Sequence, residues 1–419
     1  MASRFMVDFT PLKESRDFRL LFGGQVISML GNQLTTVAIP YQVFTLTHSS
    51  LQVGLISLAQ LIPLIAGSLV GGALGDVFDR RKLLLLSALA SGVTAGGLAL
   101  NAASPHPSLI VLYLVSALAA GLMGFANPSR NAAIPMLVKP SQLLAAYSFN
   151  QVGFQLAIII GPAFAGLLLA KAGLAWTYAL DGASFLITIV TLILLRPLLP
   201  TPGAMKPGLG SLVEGFRYLR GRQILQGVYL LDLDAMIFGM PRALFPAMAA
   251  YVFHGGTTTL GALYSAPGIG ALLGALTTGW VEGIHRRGRA VVIAVIGWGV
   301  AITLFGFSSI LWISLILLAI AGWADVISAV LRNTILQSSI PDSFRSRLSS
   351  FQMAVVQGGP RVGDLEAGAV ASVSTTEISV VSGGVACVIG AVVLAKALPG
   401  FWREGLATRE SPNSDPPSS

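Results

Sequence analysis

The chain predicts an all-α integral membrane protein, with twelve transmembrane helices in two pseudo-symmetric six-helix bundles and both termini cytoplasmic. Three observations carry that expectation. First, 54% of the 419 residues are hydrophobic and only 11% are charged, with a mean hydropathy of +0.77. Soluble domains carry about 25% charged residues. So little charge cannot clothe a water-facing surface, so the exposed surface faces lipid. Second, runs of about 20 apolar residues recur, each long enough to cross a bilayer as a helix that satisfies its own backbone. Third, Lys and Arg gather in short clusters at alternate loops, the pattern of cytoplasmic loops. The formal net charge of +8 therefore reads as membrane orientation and not as a nucleic-acid surface.

Helix 1 is expected over 18–44, after Lys13, Arg16 and Arg19 on the inner side. It is too long for a signal peptide core and lacks a small-residue cleavage site. The external loop THSS leads to helix 2, 51–75, which returns to Arg80, Arg81 and Lys82. Helix 3, 83–102, ends at the external NAASPHPS. Helix 4, 109–130, returns to Arg130 and Lys139. Helices 5 and 6, 143–170 and 175–196, are joined outside by AKAG, whose Lys171 is the one cation of the outer loops. A central loop, 197–222, contains LLPTPGAMKPG and the amphipathic SLVEGFRYLRG. The second half follows with helices over 223–250, 258–281, 290–307, 310–331, 349–372 and 377–398. Its inner segments hold Arg286, Arg287, Arg289, Arg345, Arg347 and Lys396, and its outer loops are HGGTTT, FSS and STTE. The tail from Arg403 is polar, rich in Pro and Ser, and expected to be disordered. The expected domains are thus 1–196, the loop 197–222, 223–402, and the tail 403–419.

The halves repeat. A shift of 202 residues lays SRNAAIPMLVKPSQLLAAYSF on LRNTILQSSIPDSFRSRLSSF. Arg130-Asn131 falls on Arg332-Asn333, Ser148-Phe149 on Ser350-Phe351, and Gly161 and Gly166 on Gly363 and Gly368. Parallel repeats of this kind place a substrate site between the halves at the midplane.

Two motifs and a set of membrane charges carry the chemistry. In GGALGDVFDRRKLL, Gly71 to Leu84, an acid at a helix end meets a basic cluster at the cytoplasmic face. That suits either an ion-pair latch or plain positive-inside anchoring. In IIIGPAFAGLLLA, Pro162 frees a carbonyl and can kink helix 5, and Gly161 and Gly166 allow close packing. A charge at the bilayer centre costs at least roughly 2.5–3.5 kcal/mol, so those inside spans should face a cavity or one another. They are Asp181, Asp232, Asp234, Arg242, Asp325, Arg361, Asp364 and Glu366. His48, His106 and His254 are external and His285 is cytoplasmic, so a proton carrier is a carboxylate. Asp325 can serve a cavity or pair with Arg332, and Asp181 can bond a neighbouring helix. Arg361 and Asp364, three apart, share a face, whereas Glu366 lies about 140° round from Arg361. The repeat partners of Arg361, Asp364 and Glu366 are Ile159, Pro162 and Phe164, so these charges are additions to the shared scaffold. Asp364 ranks first for proton or substrate coupling, then Glu366 and Asp232, with Asp234 and Asp181 also candidates and Arg361 tuning them. Trp323 and Tyr229 lie inside their helices and suit either substrate stacking or packing. Trp176 and Trp312 read as outer interface anchors. Cys387, the one cysteine, reads as a buried thiol. No G-x-S-x-G, H-E-x-x-H or nucleotide-binding G-x-x-x-x-G-K-[ST] motif occurs, so neither an intramembrane enzyme, a metal site nor a primary pump is expected.

GALGDVFDRRK resembles the cytoplasmic signature of the major facilitator superfamily, G-x-x-x-D-R-x-G-R-R/K. Gly72, Asp76, Arg80, Arg81 and Lys82 match it, while Val77 and Asp79 depart from it. The resemblance implies that the acid and the basic residues hold helix 2 against helix 11, a cytoplasmic gate. The Gly161-Pro162 stretch with Gly166 is similar to the antiporter motif of exporters in that superfamily. THSSLQVGL, PSLIVLYLV, LAWTYALD, GFRYL and AGWADVISAVLRNTILQSSIPD resemble the group that holds the bacterial enterobactin exporters, itself similar to drug:proton antiporters. This implies a monomeric exporter of a small organic molecule, possessing no cofactor and driven by the proton gradient across the bacterial inner or plasma membrane. A catecholate-like siderophore is the expected cargo. The rivals are multidrug or macrolide efflux, lysophospholipid flipping and a non-transporting sensor.

Overall fold

The computed structural model describes residues 8–199, 217–340 and 342–403, and every regular element among them is helical. The expectations for the central loop at 200–216 and for the tail from 404 lie outside the described residues.

Local signals start the first helices. α1 (Arg16–Thr47) begins at Ser15, whose Oγ accepts from the Phe18 amide at 3.1 Å. α2 (Ser50–Gly75) and α3 (Arg80–Ala103) are capped by Ser49 and Asp79, and α4 (Leu109–Leu137) by Ser108. Each cap side chain satisfies an orphan amide of the first turn. α5 and α6 form one run, Leu143–Ile193, broken by Gly173 at φ 80° and ψ −177°. The expected four-residue loop therefore shrinks to a single residue, since only glycine takes that conformation freely. α5 is then 143–172 and α6 174–193. Pro162 lies inside α5, and along the whole Leu143–Ile193 run Gly173 alone has non-helical backbone angles.

α7 (Gln223–Phe238) breaks at Gly239–Pro241 and continues through short helical turns to Val252. Proline removes an amide donor there. The indole N–H of Trp298 donates to the Gly239 carbonyl at 2.6 Å and takes up a backbone oxygen at the break. α8 (Thr257–Thr277), α9 (Arg287–Phe307), α10 (Leu311–Ser339), α11 (Asp342–Val373) and α12 (Thr376–Ala397) complete the series.

Among the described residues nine helices are long and apolar enough to cross a membrane, the α5–α6 run counting as one. α1 and α11, at 32 residues each, are long enough but more polar. Two boundaries differ from expectation in the same way. α4 and α10 run on to Leu137 and Ser339, so Arg130 lies seven residues inside its helix and not at its end, and Arg332 lies inside its helix and not beyond it.

The chain forms two compact units. The first holds α1–α6 with Arg242–Gly268 and Asp364–Thr376. The second holds α7 to Pro241, Ile269–Gly363 and the chain from Glu377. The core of the first includes Phe18, Leu84, Ala133, Phe149 and Leu192. That of the second includes Val228, Leu231, Val291, Val295, Leu331 and Ile335.

Glycines set the closest approaches within each unit. A Cβ on Gly161 would meet Gln33 of α1, and one on Gly363 would meet the backbone of Met236 and Ile237 of α7. A Cβ on Gly166 would lie 2.5 Å from the Thr257 carbonyl oxygen at the start of α8. One on Gly368 would lie 2.5 Å from that of Ser50 at the start of α2. The 202-residue register thus reappears as packing. α5 meets α1 and α8 where α11 meets α7 and α2.

Candidate functional site

The second unit buries an arginine between two acids. Arg332 of α10 pairs through Nη1 with Oδ1 of Asp232 on α7, and its Nη2 lies 3.8 Å from Oδ1 of Asp325. Asp325 and Arg332 are seven residues apart, which returns them to one face of α10. The Arg332 and Asp232 side chains are 8% and 9% exposed, whereas that of Asp325 is 40% exposed. Asp325 is the open member of the cluster. Its link to Arg332 is one of the two readings the sequence offers.

Tyr229 precedes Asp232 by one turn of α7. It lines a cavity of about 410 Å³ together with Asn333, Gln337 and Gln352. Its ring is buried, and its hydroxyl donates to the Leu348 carbonyl at 3.4 Å. Trp323, 36% exposed, is held by an indole bond to Thr277 Oγ1 at 3.0 Å. It stacks on Trp280, with centroids 6.4 Å apart. Of the two expected stacking residues, Trp323 shows the open ring and Tyr229 the packed one.

Asp234 is two residues beyond Asp232, hence about 200° round the helix. It turns to α12, where its carboxylate lies against Gly390 and within reach of the Cys387 thiol. The structure therefore separates these two carboxylates.

The three charges of α11 are also parted. Asp364 is buried in the first unit, where the Tyr264 ring lies within electrostatic reach of it and of Arg242. The Tyr264 hydroxyl donates to the Arg242 carbonyl at 3.1 Å. Beside Asp364, the Cα of Leu365 would lie 2.8 Å from a Cβ on Gly54 of α2. Glu366 is half-buried and makes no hydrogen bond or ion pair among the described residues. Arg361 belongs to the second unit and donates from Nη1 to the Gln357 carbonyl at 2.8 Å, one turn back. Asp181 lies between α6 and α1, taking a 2.5 Å bond from Thr35 Oγ1.

The basic motif staples helix ends within the first unit. Arg80 donates from Nε to the Gly75 carbonyl at 3.1 Å and from Nη1 to the Ala132 carbonyl at 3.2 Å. Arg81 donates to the last carbonyls of α6, Leu192 at 2.8 Å and Ile193 at 2.5 Å. Asp79 accepts from the Leu198 amide at 2.8 Å, so the residue that departs from the superfamily pattern has a contact of its own. Gly72 is buried and Lys82 exposed. Asp76 keeps Oδ2 buried, with no hydrogen bond among the described residues.

Sequence reasoning passes over Arg332 as a site residue because it ends helix 10 one residue before it. The available signal is its alignment with Arg130 in an apolar frame. Trp298 carries no sequence signal, since its role depends on a break in another helix. The described residues hold no group of three metal-ligating side chains.

Apolar helices in two compact units with paired charges inside them fit a membrane transporter, and the family match places the chain in the major facilitator superfamily. The chain belongs to the transmembrane secretion effector family, which it matches over residues 6–415. It is 32% identical to the enterobactin exporter EntS of Citrobacter koseri, over 93% of this chain and 94% of that one. It is also 32% identical to the EntS of Escherichia coli O1:K1 / APEC, over 94% of each. The nucleoside transporter NupG shares the fold with a TM-score of 0.68 at 13% identity, covering 93% of this chain and 99% of that one. A bacterial homologue of the lysosomal transporter Spinster gives 0.69 at 16% identity, covering 94% and 96%. The chain is thus a multi-pass protein of the bacterial inner membrane, a transporter and not an enzyme.

Proposed function

We propose that the protein exports a small organic molecule of the catecholate siderophore class by proton antiport, with alternating access. Its coupling centre is the cluster of Asp232, Arg332 and Asp325. The observation that carries the reading is a buried arginine held by two carboxylates, one of them open, in a chain similar to enterobactin exporters along nearly its whole length. Neighbouring catechol hydroxyls are donors that fit an ionised carboxylate. At the cytoplasmic pH the open Asp325 is ionised and takes those donors. From the more acidic outer face a proton arrives on the same carboxylate, removes its charge, turns one oxygen into a donor and so weakens its hold on the catechol donors, which releases the cargo. Cargo and proton thereby compete for one group, which is the logic of antiport. Arg332 holds Asp232 in place and limits the charge that the cluster presents to the membrane. Asp364, beside Tyr264 and Arg242, is the second coupling carboxylate, and half-buried Glu366 is the third. Asp76 with Arg80, Arg81 and Lys82 forms the cytoplasmic gate.

The test uses inside-out vesicles with the interior acidified. Enterobactin should accumulate in vesicles bearing the protein and leave when the gradient is collapsed. Accumulation that ignores the gradient would overturn proton coupling. Accumulation of unrelated drugs with none of enterobactin would replace the siderophore reading by multidrug efflux.

A further inference from the structure

The first unit contains a buried carboxylate that the coupling centre above does not use. Asp181 of α6 is 3% exposed. One of its oxygens, Oδ2, takes the bond from Thr35 Oγ1 on α1. The other, Oδ1, is buried and accepts no hydrogen bond among the described residues. Ser184 lies beside the group, with its hydroxyl donating to the Asp181 main-chain carbonyl at 2.7 Å. α1 comes in directly on top of it, because a Cβ on Gly31 would lie 2.7 Å from Oδ1. The site is therefore tight and polar, with one acceptor left over.

Among the described residues no cation offsets the carboxylate. The side chains beside it, Thr35 of α1 and Ser184 one turn along α6, are neutral hydroxyls. The helices packed on α6 carry their charges at their ends. On α1 these are Arg16, Asp17 and Arg19, on α3 Arg80, Arg81 and Lys82, and on α5 Lys171. Arg19 is 16 residues from Thr35, roughly 24 Å along α1. An isolated carboxylate in an apolar bundle is expensive as an anion and is accommodated by binding a proton. The unfilled Oδ1 is the atom open to take it.

A polar line leads from this atom toward the outer face. Tyr178, one turn before Asp181, is fully buried and lies within electrostatic reach of it. Its hydroxyl donates to Gln42 Oε1 at 2.8 Å. Gln42 is 1% exposed, and its Nε2 has no hydrogen-bond partner among the described residues. Gln42 stands five residues before Thr47, the last residue of α1, or roughly 7.5 Å from the outer end.

We propose that Asp181 is a proton-binding site of the N-terminal six-helix half, in exchange with the outer aqueous phase along the Tyr178–Gln42 hydrogen bond. A proton leaves external water and forms an O–H bond at Oδ1, turning the carboxylate into a neutral acid, and nothing is oxidised or reduced. The transporter then binds protons in both halves. This rests on the antiport reading only for its consequence, a stoichiometry above one proton per cycle.

The experiment needs no cargo. The full chain is purified into lipid nanodiscs and acidified in small steps from neutral pH. Proton uptake is followed with an indicator dye and carboxyl groups by infrared difference spectroscopy. Asp181→Asn should bind one proton fewer per protein and lose one protonated-carboxyl band. Asp232→Asn should keep that band, which separates this site from the coupling centre whatever the vesicle assay gives. Tyr178→Phe should slow the uptake several-fold and leave its extent unchanged. Thr35→Val keeps the acid but should shift the frequency of its band, a readout that stands if Asp181→Asn does not fold. An unchanged proton count and spectrum in Asp181→Asn, or an unshifted band in Thr35→Val, would overturn the site. An unchanged rate in Tyr178→Phe would overturn the path.

Discussion

Arg130 and Arg332 hold the same place in the two repeats, 202 residues apart, and each lies seven residues before the end of its helix. Their surroundings differ. Arg332 is paired with Asp232 and Asp325. Arg130 makes no hydrogen bond or ion pair among the described residues. The repeat has kept the scaffold, including one arginine in the fourth helix of each half. It has not kept the acids. The glycine contacts occur in both copies, whereas the buried ion-pair cluster occurs on α7 and α10 alone among the described residues.

The largest effect should come from breaking the paired side of this contrast. Asp232→Ala leaves Arg332 buried without its closer partner, which costs about 3–5 kcal/mol. A marked fall in unfolding temperature in nanodiscs is expected, and Arg130→Gln should cause no comparable fall. Similar falls in both variants would mean that Arg130 is paired as tightly as Arg332.

Next come the glycines, where the halves should respond alike. Ala at Gly166 or Gly368 places a Cβ 2.5 Å from a neighbouring carbonyl oxygen, an overpacking worth about 1–3 kcal/mol. Matching losses of unfolding temperature would sharpen the repeat reading, and a loss in only one would break it.

Asp325→Asn should be milder, about 0.2–1 kcal/mol, because its contact with Arg332 is 3.8 Å and its side chain 40% exposed. The same variant should lose cargo-driven proton movement. Stability and transport would then separate at one residue.

The smallest effect is at the exposed pair of Glu14 and Lys139. The Lys139 ammonium, 2.9 Å away, and then the Gln142 amide hold the Glu14 carboxyl below its ordinary value of 4.5. A lowered folded value stabilises above the ordinary value, and that contribution is lost as pH falls through the lowered one. Lys139→Ala should therefore narrow the stability difference between neutral and acidic pH, read as the two unfolding temperatures. An unchanged difference would remove this contact from the acid response.

The fold is legible in the sequence because lipid imposes simple rules. Apolar runs of fixed length and alternating basic loops locate the helices, and Gly161, Gly166, Gly363 and Gly368 announce the packing that the structure shows. The site is legible in part. The carboxylates stand out against an apolar sequence, but their partners do not. Asp232 and Asp234 look alike in one dimension, and only the roughly 200° between them sends one to Arg332 and the other to Cys387. Arg332 reads as a loop residue because the last turns of α10 are the polar stretch TILQSS, whose side chains interrupt the apolar pattern that marks the helix. The break in α7 and its Trp298 cap depend on a contact that no local pattern encodes.

The most direct test of the coupling centre is enterobactin uptake into acidified inside-out vesicles carrying either the natural chain or Asp325→Asn, with the protein amount matched. The natural chain should accumulate enterobactin and discharge the gradient as it does so. Asp325→Asn should do neither. Equal accumulation and equal discharge by the two would contradict the assignment of the Asp232, Arg332 and Asp325 cluster as the place where cargo and proton compete.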